Sequence, residues 1–415
     1  MTTNVDFQQQ VAELMLLQRV ALKIGSLLDL EMLLEEIVGD VSQTFGYSRS
    51  AVLLKDAGAN ELVIAAVRGW TANVHRKGER FQIGEYGIVG HVGESGKTYY
   101  APDVLADPYY QVSESMTRSE LDIPLKARGQ LIGIFNVQTS EIDGFTPGRI
   151  QVLEALAAHV ATAIDNAQLF LREKMEKQRI LDELEEAQGI QRTLIPSAAP
   201  ALGVFALSGQ CLPCRAVGGD WYDYIPMADG RIAVVVADVS GKGMAAALLM
   251  ASTRSLVRLM GQRAVTPAAV LTQLNEVLLK DFPRSKFVTM VYALLNPADR
   301  TVTFANAGHN PPLLISQNAS RFVESATGIP LGIGNGPFSE QRVELASGSR
   351  FVLYSDGVSE AANLQSEEYG NSRLQRHFEH PESSIGSWLG DVYEFTAGAP
   401  LADDATVVLI DTIAS

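Results

Sequence analysis

GGDWYDYIPMADGRIAVVVADVSGKG, residues 218–243, decides the reading of this chain. Asp229-Gly230 is a hairpin-turn dipeptide, and the flanking runs Tyr222–Ile225 and Ile232–Val236 have strand composition. Asp220 and Asp238 are equidistant from Asp229, so pairing about that turn sets them side by side at one end of a sheet. Two carboxylates held close raise each other's pKa unless a cation neutralises them. Further carboxylates stand at comparable strand ends: Asp356 in RFVLYSDGVSEA, and Asp403-Asp404 ahead of the run Ala405–Ile410. Carboxylates clustered without His or Cys are hard-oxygen ligands, suited to Mg²⁺ or Mn²⁺ rather than Zn²⁺. The pattern predicts a two-metal hydrolase in the C-terminal half. Asp220, Asp238, Asp356 and the pair Asp403-Asp404 are its acidic set.

Around this hairpin, the sequence after Ala201 reads as short strands punctuated by Gly and Pro and interrupted by apolar helices at Gly243–Met260 and Pro267–Leu279. Lys286–Leu295 and Thr301–Asn306 flank a turn, and Arg350–Tyr354 and Ala405–Ile410 are further strands. Helices lying on largely antiparallel strands predict an α/β sandwich of the α+β class. Upstream, apolar spacing predicts helices over 8–29 and Glu31–Phe45, strands at Ser50–Leu54 and Leu62–Arg68, and a short helix at Gly87–Gly93. Ser119–Gln138 alternates, turns at Arg128-Gly129 and alternates again, as a central hairpin does.

Thr146-Pro147 then opens a helix, with Thr as N-cap and Pro at the first helical position. Nothing forces it to stop before Pro196, and about fifty residues make a rod of about 75 Å. One heptad-like seam runs through Leu153, Leu156, Val160, Ala163, Ala167 and Phe170; another through Ile180, Leu184, Ala187 and Leu194. Between them Arg172–Arg179, with Lys174 and Lys177, is polar. This reads as a coiled coil weak in its middle and as a parallel homodimer; the other reading is a solvated connector.

The chain has 415 residues, 47% hydrophobic and 20% charged, as an ordinary globular protein has. Its formal charge of −15 argues against general nucleic-acid binding. MTTNVDFQQQ lacks the features of an export signal, and no apolar stretch suits a bilayer, so a cytoplasmic protein off the membrane is expected. Cys211 and Cys214 have no further soft ligands beside them and read as incidental thiols.

The strings VGGDWYDY, VADVSGKGMAAAL, FVTMVYALL, FANAGHNPPLL, TGIPLGI, LYSDGVSEA and DDATVVLI follow one another in order. Together they resemble the metal-dependent (PPM) protein phosphatases in their bacterial SpoIIE-like branch, and ELEEAQGIQRTLIP resembles the helix leading into such domains. SELDIPLKARGQLIGIFNVQ and the helix after it resemble a GAF sensor domain, an antiparallel sheet with flanking helices. The resemblance implies an N-terminal helix at 1–27, a GAF domain at 28–165, a coiled-coil linker at 166–200 and a phosphatase domain at 201–415. It implies that Asp238 bridges two divalent ions, with the Val239 carbonyl as a further ligand, and that Asp356 and Asp404 complete the second site, with Asp403 as a neighbour. Asp220 faces the metals directly or through water. Two ions about 3.5–4 Å apart lower the pKa of a water bridging them and hold phosphoryl oxygens for in-line attack. The implied substrate is a phosphoprotein, an anti-sigma-factor antagonist, and the implied activity that of a serine/threonine phosphatase.

Ser240-Gly241-Lys242-Gly243 departs from the Walker pattern, because Gly243 follows the lysine. Lys242 either meets substrate phosphate or is solvated; His309 contacts substrate, acts as an acid or satisfies a buried loop. The regulatory positions of the rod are Lys174, Lys177, Ile180 and Leu184. The N-terminal part holds no cysteine for a thioether-linked bilin, and His91, Tyr99, Tyr100, Tyr109 and Tyr110 are either pocket or ordinary core residues. The sequence leaves the GAF signal, small molecule or protein, unknown. A non-catalytic phosphoprotein-binding module is the alternative, against which the retained acidic set argues.

Overall fold

The computed structural model describes residues 30–413, apart from 57, 71–74, 112–115, 263–265, 317–318 and 325–326. The helix expected at 8–29 lies outside the described residues. The chain divides into two compact units, Met1–Gln178 and Arg179–Ser415.

The first unit is built on a six-stranded antiparallel sheet in the order β3-β2-β1-β6-β5-β4. Its strands are β1 (Arg49–Lys55), β2 (Glu61–Arg68), β3 (Arg80–Gln82), β4 (Tyr99–Ala101), β5 (Ser119–Ala127) and β6 (Gln130–Thr139). Side chains alternate along β5, so Leu121, Ile123 and Leu125 pack with α1 (Leu30–Phe45) and the start of α3. The opposite face carries Ile134, Leu53 and Ile64 against α2 (Gly87–Ser95).

Helix α3, Pro147–Leu194, runs 48 residues without a break. Thr146 Oγ1 accepts from the Arg149 amide at 3.4 Å, the expected cap. The first apolar seam does not have the use the sequence suggests. Leu153, Leu156, Val160 and Ala163 are buried in the core of their own unit, and only towards its end does the seam surface, with Phe170 51% exposed. A helix packed on its own sheet and a helix paired with a copy of itself repeat apolar residues at nearly the same interval. Ile180 in the second seam is exposed.

The second unit stacks two sheets between helices. One runs β14-β11-β10-β9-β8, with β15 on β11; the other β13-β12-β16-β17-β7. Here β7 is Phe205–Leu212, β8 Trp221–Pro226, β9 Ile232–Val239, β10 Val288–Asn296, β11 Thr301–Ala307, β12 Leu313–Ser316 and β13 Ala319–Phe322. β14 is Thr327–Gly328, β15 Gln341–Glu344, β16 Arg350–Tyr354 and β17 Ala405–Thr412. Trp221, Val235 and Tyr292 pack under α4 (Met244–Gly261) and α5 (Pro267–Asp281). Tyr222, Val234, Val291, Phe304, Phe351 and Val408 fill the space between the sheets. Short α6 (Asp356–Ser359) follows β16, and α7 (Gly370–Glu379) and α8 (Ile385–Thr396) cover Val352, Val407 and Leu409 through Phe378 and Trp388. A strand covered on both faces reads as one apolar run, which is why IAVVVADV shows no alternation. This is the α/β sandwich of the sequence reading.

Candidate metal centre

The hairpin forms about its turn in the expected register, from Trp221 opposite Ala237 to Pro226 opposite Ile232. Asp220 and Asp238 thereby emerge together, within side-chain hydrogen-bonding reach of each other. From the second sheet, β16 delivers Ser355 and Asp356, and the approach to its neighbour β17 delivers Asp403 and Asp404. Two sheets packed face to face thus bring their loop ends to one place.

Hydrogen bonds between the sheets lock that end. Ser355 Oγ donates to Asp220 Oδ2 at 2.6 Å and accepts from the Thr406 amide at 2.9 Å. Asp404 accepts from the amide of Gly219 at 2.7 Å and from that of Cys214 at 2.8 Å. The Asp404 amide donates in turn to Asp403 Oδ1 at 2.9 Å. Glycine is required where the loop crosses these groups. A Cβ on Gly218 would lie 2.1 Å from Asp404 Oδ2, and one on Gly219 would lie 2.6 Å from the Val239 carbonyl oxygen.

The two adjacent aspartates have different surroundings. Asp404 is 3% exposed and spends its oxygens on backbone amides. Asp403 is half-buried, and its charge is the chief electrostatic influence on Asp356. Lys242 is bound to this loop, with Nζ 2.9 Å from Asp403 Oδ2 and donating also to the Ala402 carbonyl.

The cluster holds more negative charge than its surroundings balance. Burial, then the charge of Asp238, pushes the Asp220 carboxyl well above the usual range. Burial, then Asp356, Asp403 and Asp404, pushes Asp238 up to about 7. Asp356 is raised by burial and by Asp403. Such a set of oxygen donors fits a hard divalent cation. Cys214, whose sulfur lies with Asp403 and Asp404 oxygens inside a 4.8 Å group, is a poor ligand for such an ion: burial and a hydrogen bond to Asp404 push its thiol up to about 11.

His309 belongs to a neighbouring loop. Its Nδ1 is 2.7 Å from Thr289 Oγ1, its amide donates to Asn306 Oδ1 at 2.7 Å, and burial pulls its pKa down to about 4. It is a neutral, loop-closing ring, and Thr289 stands opposite Asp238 in the β9–β10 ladder. Sequence reasoning passed over Ser355, Gly218 and Gln191. Gln191, near the end of α3, makes a two-way amide pair with Gly218, donating to its carbonyl at 2.8 Å and accepting from its amide at 3.1 Å. The SDG triplet and the glycine pair were visible signals for the first two; a glutamine on a polar helix gives none.

Fold and site together define a phosphatase-type sandwich preceded by a GAF-type sheet. The family model for Stage II sporulation protein E (SpoIIE) matches residues 228–413, and that for the GAF domain matches residues 29–164. Among curated proteins, phosphoserine phosphatase RsbU of Bacillus subtilis (strain 168) is 32% identical over 240 residues, covering 56% of this chain and 71% of RsbU. Phosphoserine phosphatase RsbP of the same organism is 26% identical over 147 residues, covering 34% of this chain and 36% of RsbP. Among solved structures, the SiaA-PP2C domain of Pseudomonas aeruginosa superposes with a TM-score of 0.51 at 23% identity, covering 57% of this chain and 98% of that one. The chain belongs to the SpoIIE-type PPM serine/threonine phosphatases, with a GAF domain ahead of the phosphatase domain.

Proposed function

We propose that this phosphatase hydrolyses phosphoserine or phosphothreonine on a small protein, an anti-sigma-factor antagonist, under control of its GAF domain in the cytoplasm. The observation that carries the reading is the acidic cluster, in which Asp238 is driven up to about 7 by burial and three neighbouring carboxylates. We assign Asp238, the Val239 carbonyl and Asp356 as groups that hold two divalent ions, Mn²⁺ or Mg²⁺, with Asp220 beside them, and with Asp403 in place of the Asp404 that the resemblance implies, because both Asp404 oxygens are engaged by backbone amides. Asp404 acts as the brace that fixes the Gly218–Asp220 loop. Bound there, the ions supply an activated water and charge stabilisation for in-line phosphoryl transfer. The chain's own residues set the geometry: Ser355 orients Asp220, Asp404 holds the glycine loop, and Gly219 leaves the Val239 carbonyl open. Lys242 keeps Asp403 in place and offers positive charge at the rim. No His, Cys or Ser nucleophile is needed.

We assign 28–165 to the sensor, 166–200 to the linker and 201–415 to catalysis. The Gln191–Gly218 pair supports regulation through α3, because it ties the helix end to the loop that Asp404 braces. A parallel homodimer through Ile180, Leu184 and their neighbours fits a second seam in which Ile180 is exposed and Leu184 and Ala187 are partly so. Among the described residues no helix is long and apolar enough to cross a membrane. The test is Mn²⁺-dependent release of phosphate from a serine-phosphorylated antagonist by the full chain, with p-nitrophenyl phosphate as a substrate-independent control. Turnover of neither, with Mn²⁺ saturating, would overturn the reading.

A further inference from the structure

The sheet face of the first unit turned away from α1 and α3 bears a cavity lined by aromatic rings and by a set of polar side chains. One wall is aromatic and continuous. Trp70 meets His75 at 5.8 Å between ring centroids, His75 meets Phe81 at 5.6 Å, and Phe81 meets Tyr86 at 4.8 Å; all four rings line the cavity. The lining also holds a polar set, Glu120, Asn136 and Gln138.

That polar set follows from strand alternation. Glu120 and Asp122 stand on β5 opposite Gln138 and Asn136 of β6, between the positions that face the core. Asn136 Nδ2 donates to Glu120 Oε1 at 2.7 Å and to Asp122 Oδ1 at 2.8 Å. Those two bonds fix which way the amide points. They leave Asn136 Oδ1 buried with no hydrogen-bond partner, on a residue only 3% exposed. Asp122 Oδ2 is left in the same way. Arg49 donates to Thr117 Oγ1, and Thr117 donates to Gln138 Oε1. Among the described residues neither Glu120 nor Asp122 forms an ion pair. Burial raises both carboxyls, and the charge of Glu120 raises Asp122 further.

A buried acceptor without a donor is destabilising, and a cation is attracted to an aromatic face. We infer that this cavity binds a small organic cation, an amidinium or primary ammonium carried on a single flat ring. Its N–H groups meet Glu120 and Asn136 Oδ1, and its ring lies along the Trp70–Tyr86 wall. A phosphate or carboxylate beside the same polar set would face carboxylate and amide oxygens. The site is separate from the acidic cluster of the phosphatase, and its occupancy is read without turnover.

The test uses the full chain in saturating Mn²⁺, with benzamidine as probe and benzamide and benzoate as its neutral and anionic counterparts. Of the three tryptophans, Trp221 and Trp388 are fully buried in the other unit and Trp70 alone lines the cavity, so Trp70 fluorescence reports binding there. Benzamidine is expected to give a saturable change with a Kd of about 1 mM or tighter. Benzamide and benzoate should give none, and the Trp70→Phe variant should be silent. Glu120→Gln and, independently, Tyr86→Leu should each weaken binding about ten-fold or more. Circular dichroism verifies that each variant is folded; should Glu120→Gln fail to fold, Tyr86→Leu decides. No saturable signal with benzamidine, an equal one with benzoate, or undiminished affinity in the folded variants would overturn the proposal.

Discussion

Asp238→Asn should make the metal-free protein more stable while destroying its activity. The carboxyl has an ordinary pKa of 3.8 and is driven up to about 7 in the fold. The folded state therefore keeps this proton longer than the unfolded chain does. Stability falls as pH rises from 3.8 to about 7 and is level above that. At about 1.36 kcal/mol per pH unit, the ionised group costs about 1.5 kcal/mol at pH 5 and about 4 kcal/mol at pH 8. Asparagine keeps the shape and removes the cost. In a chelator at pH 8 the variant should melt on the order of 10 °C above the wild type, with a smaller gap at pH 5. Added Mn²⁺ should raise the melting temperature of the wild type and barely move the variant, whose turnover should be lost. The assay is thermal unfolding across pH 5–8 with and without Mn²⁺, paired with phosphate release. A variant that melts at or below the wild type in chelator at pH 8 would refute the electrostatic argument. One that turns over normally would refute the metal assignment.

Ser355→Ala removes both the donor to Asp220 and the acceptor of the Thr406 amide; a loss of about 2–4 kcal/mol is expected in urea unfolding. Gly218→Ala sets a methyl 2.1 Å from Asp404 Oδ2, so turnover should fall about ten-fold or more and the Mn²⁺ needed for half-activation should rise. Unchanged Mn²⁺ dependence would show that Asp404 braces nothing. Joint replacement of Lys174 and Lys177 by Leu carries an apolar seam through the polar gap of α3 and should lock phosphatase output high or low. Light scattering must first show a dimer; a monomeric wild type at micromolar concentration, or a dimeric variant still normally regulated, would remove that coupling role.

The hairpin that gathers Asp220 and Asp238 was legible because its turn and both strands are contiguous, and one dipeptide fixes the pairing. The GAF-type hairpin was legible for the same reason, turning at Arg128-Gly129. The first seam of α3 was misleading, since apolar spacing states that a face is covered and is silent on what covers it. The different surroundings of Asp403 and Asp404 were hidden for a different reason. Adjacent residues of one type differ only in direction, and that direction is set by Gly219, 185 positions away. Ser355 acts through Asp220, 135 positions away, and Gln191 through Gly218, 27 positions away, and no local pattern announces either partner.

The two strands of the hairpin are not equally anchored. β9 is clasped on both sides, by β8 and by β10, whereas β8 is the margin of its sheet. An alteration at the solvent-facing Ala228–Gly230 bend therefore cannot readily displace Asp238, but it can let β8 slide by a position and turn Asp220 to the wrong face. The bend behaves as the gauge for a carboxylate at the far end of the strand. Length changes there, ordinarily the most forgiving kind on a protein surface, should be among the least forgiven here.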